Sequence, residues 1–149
     1  MGGGELTTQS RKIRLKKLYV PCPAKENDEI FRNGVFHFNI SKILDDIHCG
    51  KLVVDKEYID IKEWFKWHGH HSSLNEEHLP TVNIDSMIIQ AEIRPGIFSI
   101  IDGNHRMEKV FRVGKRSIYS YKLRGEQLIP YFITEKGYQA FIEYWNSKF

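Results

Sequence analysis

Cysteine is scarce in this chain of 149 residues: Cys22 and Cys49 are the only two. One disulfide is the most they could form, and without a secretory segment two reduced thiols with no catalytic part are the expectation. Long apolar runs are missing as well. Nothing after Met1 could serve as a signal-peptide core or a membrane span, so a cytoplasmic protein with no membrane partner is expected. Charge of one sign is also lacking, since 22 Lys+Arg against 19 Asp+Glu leave only +3. Affinity for nucleic acid through overall charge is thereby excluded, and any anion site must be local. Low-complexity tracts and internal repeats are absent. The aromatic content of 13% implies ring surface that folding buries, which restricts disorder to the ends. The length suits one packed domain and is too short for two ordinary ones.

What is present can be read in chain order. Met1 to Ser10 is Gly-rich and polar, and Arg11 to Lys17 adds five positive charges around Ile13 and Leu15. The alternation predicts a solvated first strand with Ile13 and Leu15 inward; the alternative is an arm that touches nucleic-acid phosphates. Pro21 and Pro23 open a polar loop that reaches Glu29. Asn33-Gly34 signals a turn into a strand over Val35 to Phe38. Ile40, Ile43, Leu44 and Ile47 then share one helical face, between Asn39 as N-cap and Gly50 as terminator. Leu52 to Val54 and Tyr58 to Ile61 predict strands. Asp60 and Glu63 have the spacing of a capping box for a short helix whose Trp64, Phe65 and Trp67 are expected to pack inward. His68, His70, His71 and His78 cluster in sequence but match no zinc spacing, so a flexible polar loop and no metal site is the expectation.

From Thr81 onward the pattern becomes β-prone. Val82 to Ile84, Met87 to Ile93 and Ile97 to Ile101 are apolar, with Arg94-Pro95-Gly96 between the last two runs as a hairpin turn. Asp102-Gly103-Asn104-His105-Arg106 follows at once, then Met107, Val110, Phe111 and Val113 up to Gly114: strand, tight glycine turn, helix. Ser117 to Leu123 is another alternating strand. Tyr138, Phe141, Ile142 and Trp145 fall at helical spacing behind Thr134 as cap.

The turn at Gly103 carries the chemistry. A helix start leaves backbone N–H groups unpaired beside a partial positive charge, so a strand that turns through glycine directly into a helix makes an anion pocket. Gly103 permits close approach of the backbone to a phosphate, Arg106 offers a fixed fork of donors, and His105 is a donor or proton carrier near neutral pH. Asp102 and Glu108 oppose an anion unless a divalent cation bridges carboxylate and phosphate oxygens, which makes magnesium (Mg) a conditional expectation. The plainer roles are Asp102 as a helix cap, Gly103 as relief for a left-handed turn, and Arg112, Lys115 and Arg116 as complements of the helix C-terminus. They leave His105 and Arg106 unexplained, since cations are disfavoured at a positive helix end.

The order of apolar strand, hairpin, strand ending in Ile100-Ile101-Asp102-Gly103-Asn104-His105-Arg106, helix, Gly114 and strand resembles the ParB/sulfiredoxin superfamily. The likeness covers Tyr58 to Leu123, with Asp60-Ile61-Lys62-Glu63-Trp64 similar to the early strand-to-helix step of that family. It implies a mixed α/β fold, a single domain with a small mixed sheet flanked by helices. Residues 58–149 would form the core with the C-terminal helix, and residues 1–57 an N-terminal extension packed on it. It also implies that Gly103, Asn104, His105 and Arg106 hold phosphates of ATP or another nucleotide, or of a nucleic acid. Sulfiredoxins carry a catalytic cysteine where this chain has Asn104, so sulfinic-acid reduction is excluded. Partition proteins show Glu-Arg-Arg after the glycine and continue into a helix-turn-helix domain, so DNA clamping driven by CTP is not expected of this chain.

The leading expectation is therefore a ParB-like nuclease or nucleotide hydrolase acting on a phosphodiester or phosphoanhydride. In it His105 and Arg106 hold the phosphate, Arg106 stabilises developing charge, and Asp102 or another acid (Asp85, Glu108) recruits magnesium or activates water. The alternatives are a non-catalytic module that binds a nucleotide or DNA, and an ATP-dependent small-molecule kinase.

Overall fold

A computed structural model describes residues 11–70 and 74–149. The fold is mixed α/β. Among these residues are a two-stranded sheet of β1 (Ile30–Asn33) and β2 (Phe36–Asn39), and a four-stranded sheet of β3 (Asp55–Asp60), β4 (Ile88–Arg94), β5 (Ile97–Asp102) and β6 (Ser117–Leu123). The helices are α1 (Ile40–His48), α2 (Ile61–His68), α3 (Asn104–Arg112), α4 (Gly125–Leu128) and α5 (Glu135–Asn146). None of them is long and apolar enough to cross a membrane. The described residues form two compact units, one within residues 11–53, 92–98 and 124–149, the other within residues 54–70, 74–91 and 99–123.

In the first unit, Asn33 and Gly34 turn the chain as their sequence demands, with Gly34 at φ 60°. β1 pairs antiparallel with β2, Phe31 opposite Phe38. Asn39 is fully buried at the start of α1, where its Oδ1 accepts from the Lys42 N–H at 3.0 Å. Its Nδ2 donates to the Pro23 carbonyl and to Asp28 Oδ2, so one side chain caps the helix and pins the loop before it. Thr134 caps α5 by accepting from the Gly137 N–H. The periodic Tyr138, Phe141, Ile142 and Trp145 of α5 are all buried, with Tyr138 stacked on Tyr19 at 3.9 Å between centroids.

The expected strand at Ile13 and Leu15 does not form. The backbone there bonds to side chains of α5: Ile13 N–H donates to Asn146 Oδ1, Asn146 Nδ2 donates to Ile13 O, and Lys16 N–H donates to the Tyr138 hydroxyl. With those groups satisfied by side chains, no neighbouring strand is required. Glu92, also buried, accepts from Arg11, from the Gly96 N–H of the β4–β5 turn and from the Gly125 N–H, which ties three separated segments to one carboxylate.

In the second unit the strand order is β3-β6-β4-β5. β3 and β6 are antiparallel, while β4 and β6 are parallel, with Ile88 opposite Ser120. The connection from β5 through α3 therefore passes over β4 to reach β6. Ile59, Ile61, Phe65, Ile88, Ile100, Met107, Val110 and Ile118 form its core. Asp60 caps α2 through the Glu63 N–H at 3.0 Å, which is half of the expected capping box; the Glu63 carboxylate accepts from Trp67 and, among the described residues, does not return the bond. Two expectations fail here. Leu52 to Val54 is not a strand, since β3 begins at Asp55. Of the three aromatics of α2, Phe65 is buried and Trp64 half-buried, but Trp67 is 74% exposed, because residues 64, 65 and 67 do not lie on one side of so short a helix. Trp67 donates instead to Glu63 one turn back.

Replacing Asn39 by Ala removes the cap and two further partly buried hydrogen bonds, so Asn39→Ala is expected to cost about 2–4 kcal/mol in urea unfolding. Asn39→Ser keeps the cap alone and is expected to lose less; equal losses would place the energy outside the cap.

Candidate functional site

β5 ends at Asp102, Gly103 turns the chain at φ 109°, and α3 begins at Asn104. The strand-turn-helix read from the sequence is thus in place. The N-cap residue is Gly103, which has no side chain to cap with, and among the described residues Asp102 makes no capping bond, so it does not play the role that its position allowed. The glycine is required on two counts: the left-handed backbone, and the space a Cβ would take, which lies 2.5 Å from Ile88 Cγ2 and 3.1 Å from Arg106 Nη1. The close approach that Gly103 permits is made by the core residue Ile88, and the Arg106 guanidinium folds back over the same turn.

Arg106 is held there by two backbone carbonyls. Nε donates to Asn83 O at 2.7 Å and Nη1 to Met87 O at 3.1 Å. Among the described residues Nη2 has no protein acceptor and Arg106 no ion pair. His105 faces the same preceding segment. The Asn75 N–H donates to its Nε2 at 3.0 Å, which requires a neutral imidazole with the proton on Nδ1, and its ring lies edge-on to His78 at 5.1 Å. The motif's cations at the positive helix end are therefore accounted for in different ways: His105 is uncharged in this bond, and Arg106 is compensated by carbonyl oxygens.

The rest of α3 continues the pattern. Lys109 Nζ donates to the carbonyls of Pro80 and Val82, both at 2.8 Å. Arg112 makes a bidentate pair with Glu76 at 2.7 and 2.9 Å, and its Nε reaches Glu108 at 2.9 Å. Glu108 is buried and also bonded to His70 Nδ1 at 2.6 Å. Burial pushes the Glu108 carboxyl up, but the hydrogen bonds from His70 and Arg112 outweigh it and hold the group below the ordinary range. None of these partners was read from the sequence, although the separation of Glu108 and Arg112 by four residues on one helix is a signal that could have found that pair. Segment 74–87 supplies most of the others, and nothing in its composition marks it as the partner of a helix.

Of the histidine cluster, His68 ends α2 with its ring stacked on Trp64, His70 bonds Glu108, and His78 meets His105. His71 lies outside the described residues. Among the described residues, no three His, Cys, Asp or Glu side chains come together to hold a metal ion. Compared with protein-family models, with curated proteins and with solved structures, the chain matches none.

Two outcomes follow from this geometry. Gly103→Ala is expected to lower stability by about 2–4 kcal/mol, since strained backbone and overpacking against Ile88 add; a loss below about 1 kcal/mol in urea unfolding would refute that crowding. Because the folded-state Glu108 carboxyl is held low, its stabilising effect is present above the ordinary glutamate range and is lost as pH falls through the folded value. Glu108→Gln is therefore expected to cost about 1.5–3 kcal/mol at neutral pH, with the gap to wild type closing in acid. A gap that stays constant across the titration would show that the charge of Glu108 is not what stabilises.

Proposed function

We propose that the second unit is a phosphate-binding domain of ParB/sulfiredoxin type, in which the start of α3 takes a phosphate of a nucleotide or of a nucleic acid. The observation that carries the reading is the placement of Arg106. Its guanidinium is tethered over Gly103 by two carbonyls, beside a helix start whose N-cap residue has no side chain, and among the described residues its Nη2 donors have no protein acceptor and are left for one from outside. A guanidinium fixed in advance loses little freedom on binding, which favours affinity for a planar pair of phosphate oxygens. Gly103 and Asn104 contribute backbone, and His105 stands beside them as a neutral side chain that carries its proton on Nδ1.

The hydrolytic form of this proposal, a ParB-like nuclease or nucleotide hydrolase, requires a carboxylate as well. Glu108 is engaged by His70 and Arg112. That leaves Asp102, half-buried at the end of β5 and the acid of the motif itself, ahead of Asp85, which is exposed between the two residues whose carbonyls hold Arg106. Magnesium would be held by Asp102 together with phosphate oxygens, the usual arrangement for an ion that keeps few protein ligands, and would supply charge neutralisation at the phosphate.

Asn104→Asp provides the test, because a carboxylate in the first turn suits the helix end and repels an anion from it. Wild type is expected to gain thermal stability with nucleoside triphosphates or oligonucleotides, and Asn104→Asp to lose that gain while unfolding at the same or a higher temperature without ligand. No stabilisation of wild type by any phosphate compound overturns the binding reading. Release of product from plasmid DNA or nucleotide with magnesium, abolished by Asp102→Asn, selects the hydrolytic form; binding without turnover selects the module.

A further inference from the structure

At the other end of α3 lies a cleft of about 510 Å³, within the second unit and apart from the Gly103 turn. Its size is that of a small-molecule site, typically about 300–1,000 Å³. The start of α2 contributes Asp60, Ile61 and Lys62, α3 contributes Phe111, and the turn into β6 contributes Lys115 and Arg116. The Ile61 N–H donates to the Arg116 carbonyl at 2.9 Å, so the turn and the helix start that wall the cleft are joined through backbone.

The cations of this cleft differ from those on α3. Arg106, Lys109 and Arg112 all have protein partners. Among the described residues the side chains of Lys62 and Arg116 have neither a hydrogen bond nor an ion pair, and Lys115 Nζ reaches only the Ile84 carbonyl at 3.5 Å. Three positive side chains thus border one hollow against a single carboxylate, that of Asp60, which is occupied in capping α2. Lys115 and Arg116 follow the negative end of α3 and would be placed there by the helix dipole alone. Lys62 has no such reason. It occupies the first turn of α2, where a cation is disfavoured, and an anion in the cleft would reverse that sign. The wall is not only polar: the Phe111 ring is 38% exposed while tilted against Phe65 at 4.8 Å, and it offers an apolar surface beside the charges.

We propose that this cleft binds an organic phosphate with a flat ring, the phosphate between Lys62, Lys115 and Arg116 and the ring against Phe111. A mononucleotide has this chemistry. The cleft would be a second anion site, independent of the one at the start of α3.

Adenosine monophosphate, inorganic phosphate and adenosine are the probes, followed by backbone amide chemical shifts of the whole chain. Adenosine monophosphate is expected to shift the amides of Lys62, Phe111, Lys115 and Arg116, inorganic phosphate to shift those near the cations more weakly, and adenosine to shift none. Lys62→Glu puts at an exposed helix start the charge the dipole prefers, so the fold is kept, and it is expected to weaken adenosine monophosphate by about tenfold or more. Asn104→Asp is expected to leave this binding unchanged. The inference is overturned if millimolar adenosine monophosphate leaves these amides unmoved, or if Lys62→Glu binds as wild type does. Shifts confined to residues 103–106 also overturn it, while supporting the site at the start of α3; shifts at the cleft alone support it and count against the other.

Discussion

The missing side chain at Gly103 is the constraint on which the second unit depends. β5 can pass into α3 without an intervening loop only if one residue takes a left-handed backbone, and glycine does so without steric cost. The same absence admits Ile88 of β4 into the space beneath the turn and lets Arg106 close over it. Sheet, helix and guanidinium thus converge at a residue that contributes backbone alone. A helix start without a cap from its own N-cap residue is the direct consequence, because glycine has no side-chain oxygen with which to cap.

Along α3 the dominant interaction is between cations and backbone carbonyls. Arg106 and Lys109 reach four carbonyl oxygens of residues 80–87, and Arg112 reaches the carboxylates of Glu76 and Glu108. A loop that runs along a helix cannot use its carbonyls in a ladder, and long basic side chains satisfy them from the side. The basic character of this helix therefore serves the fold first. Arg106 can serve both fold and ligand, since a guanidinium has five donors and the loop engages two of them. Glu108 is different in kind: a buried carboxylate bonded by His70 and Arg112 is a structural anion whose removal leaves its partners uncompensated.

Patterns of period 2 and 3.6 with caps were legible. α1 with Asn39, α2 with Asp60, α5 with Thr134 and the strand Ser117–Leu123 are where their residues place them, because in each a local cap or alternation agrees with the burial that the fold imposes. Local pattern misled where a distant partner intervened. Ile13 and Leu15 alternate like a strand, yet side chains of Asn146 and Tyr138, more than a hundred residues on, take the backbone bonds of Ile13 and Lys16. β1 went unread because Ile-Phe-Arg-Asn has neither alternation nor β-branched density, and its pairing with β2 creates it.

For the candidate site, the chain alone specified the ingredients: a glycine that must turn left-handed, a helix that starts on it, and an arginine in the first turn. Tertiary structure alone assigned their partners. It put Arg106 on the carbonyls of Asn83 and Met87, made His105 an acceptor from Asn75, engaged Glu108 with His70, and opened a second basic hollow at the far end of the same helix. The physical reason is range. Turn and helix preferences act over a few residues and are written locally, whereas the direction of a long charged side chain is decided by whichever acceptors the folded chain brings within about 3 Å of it.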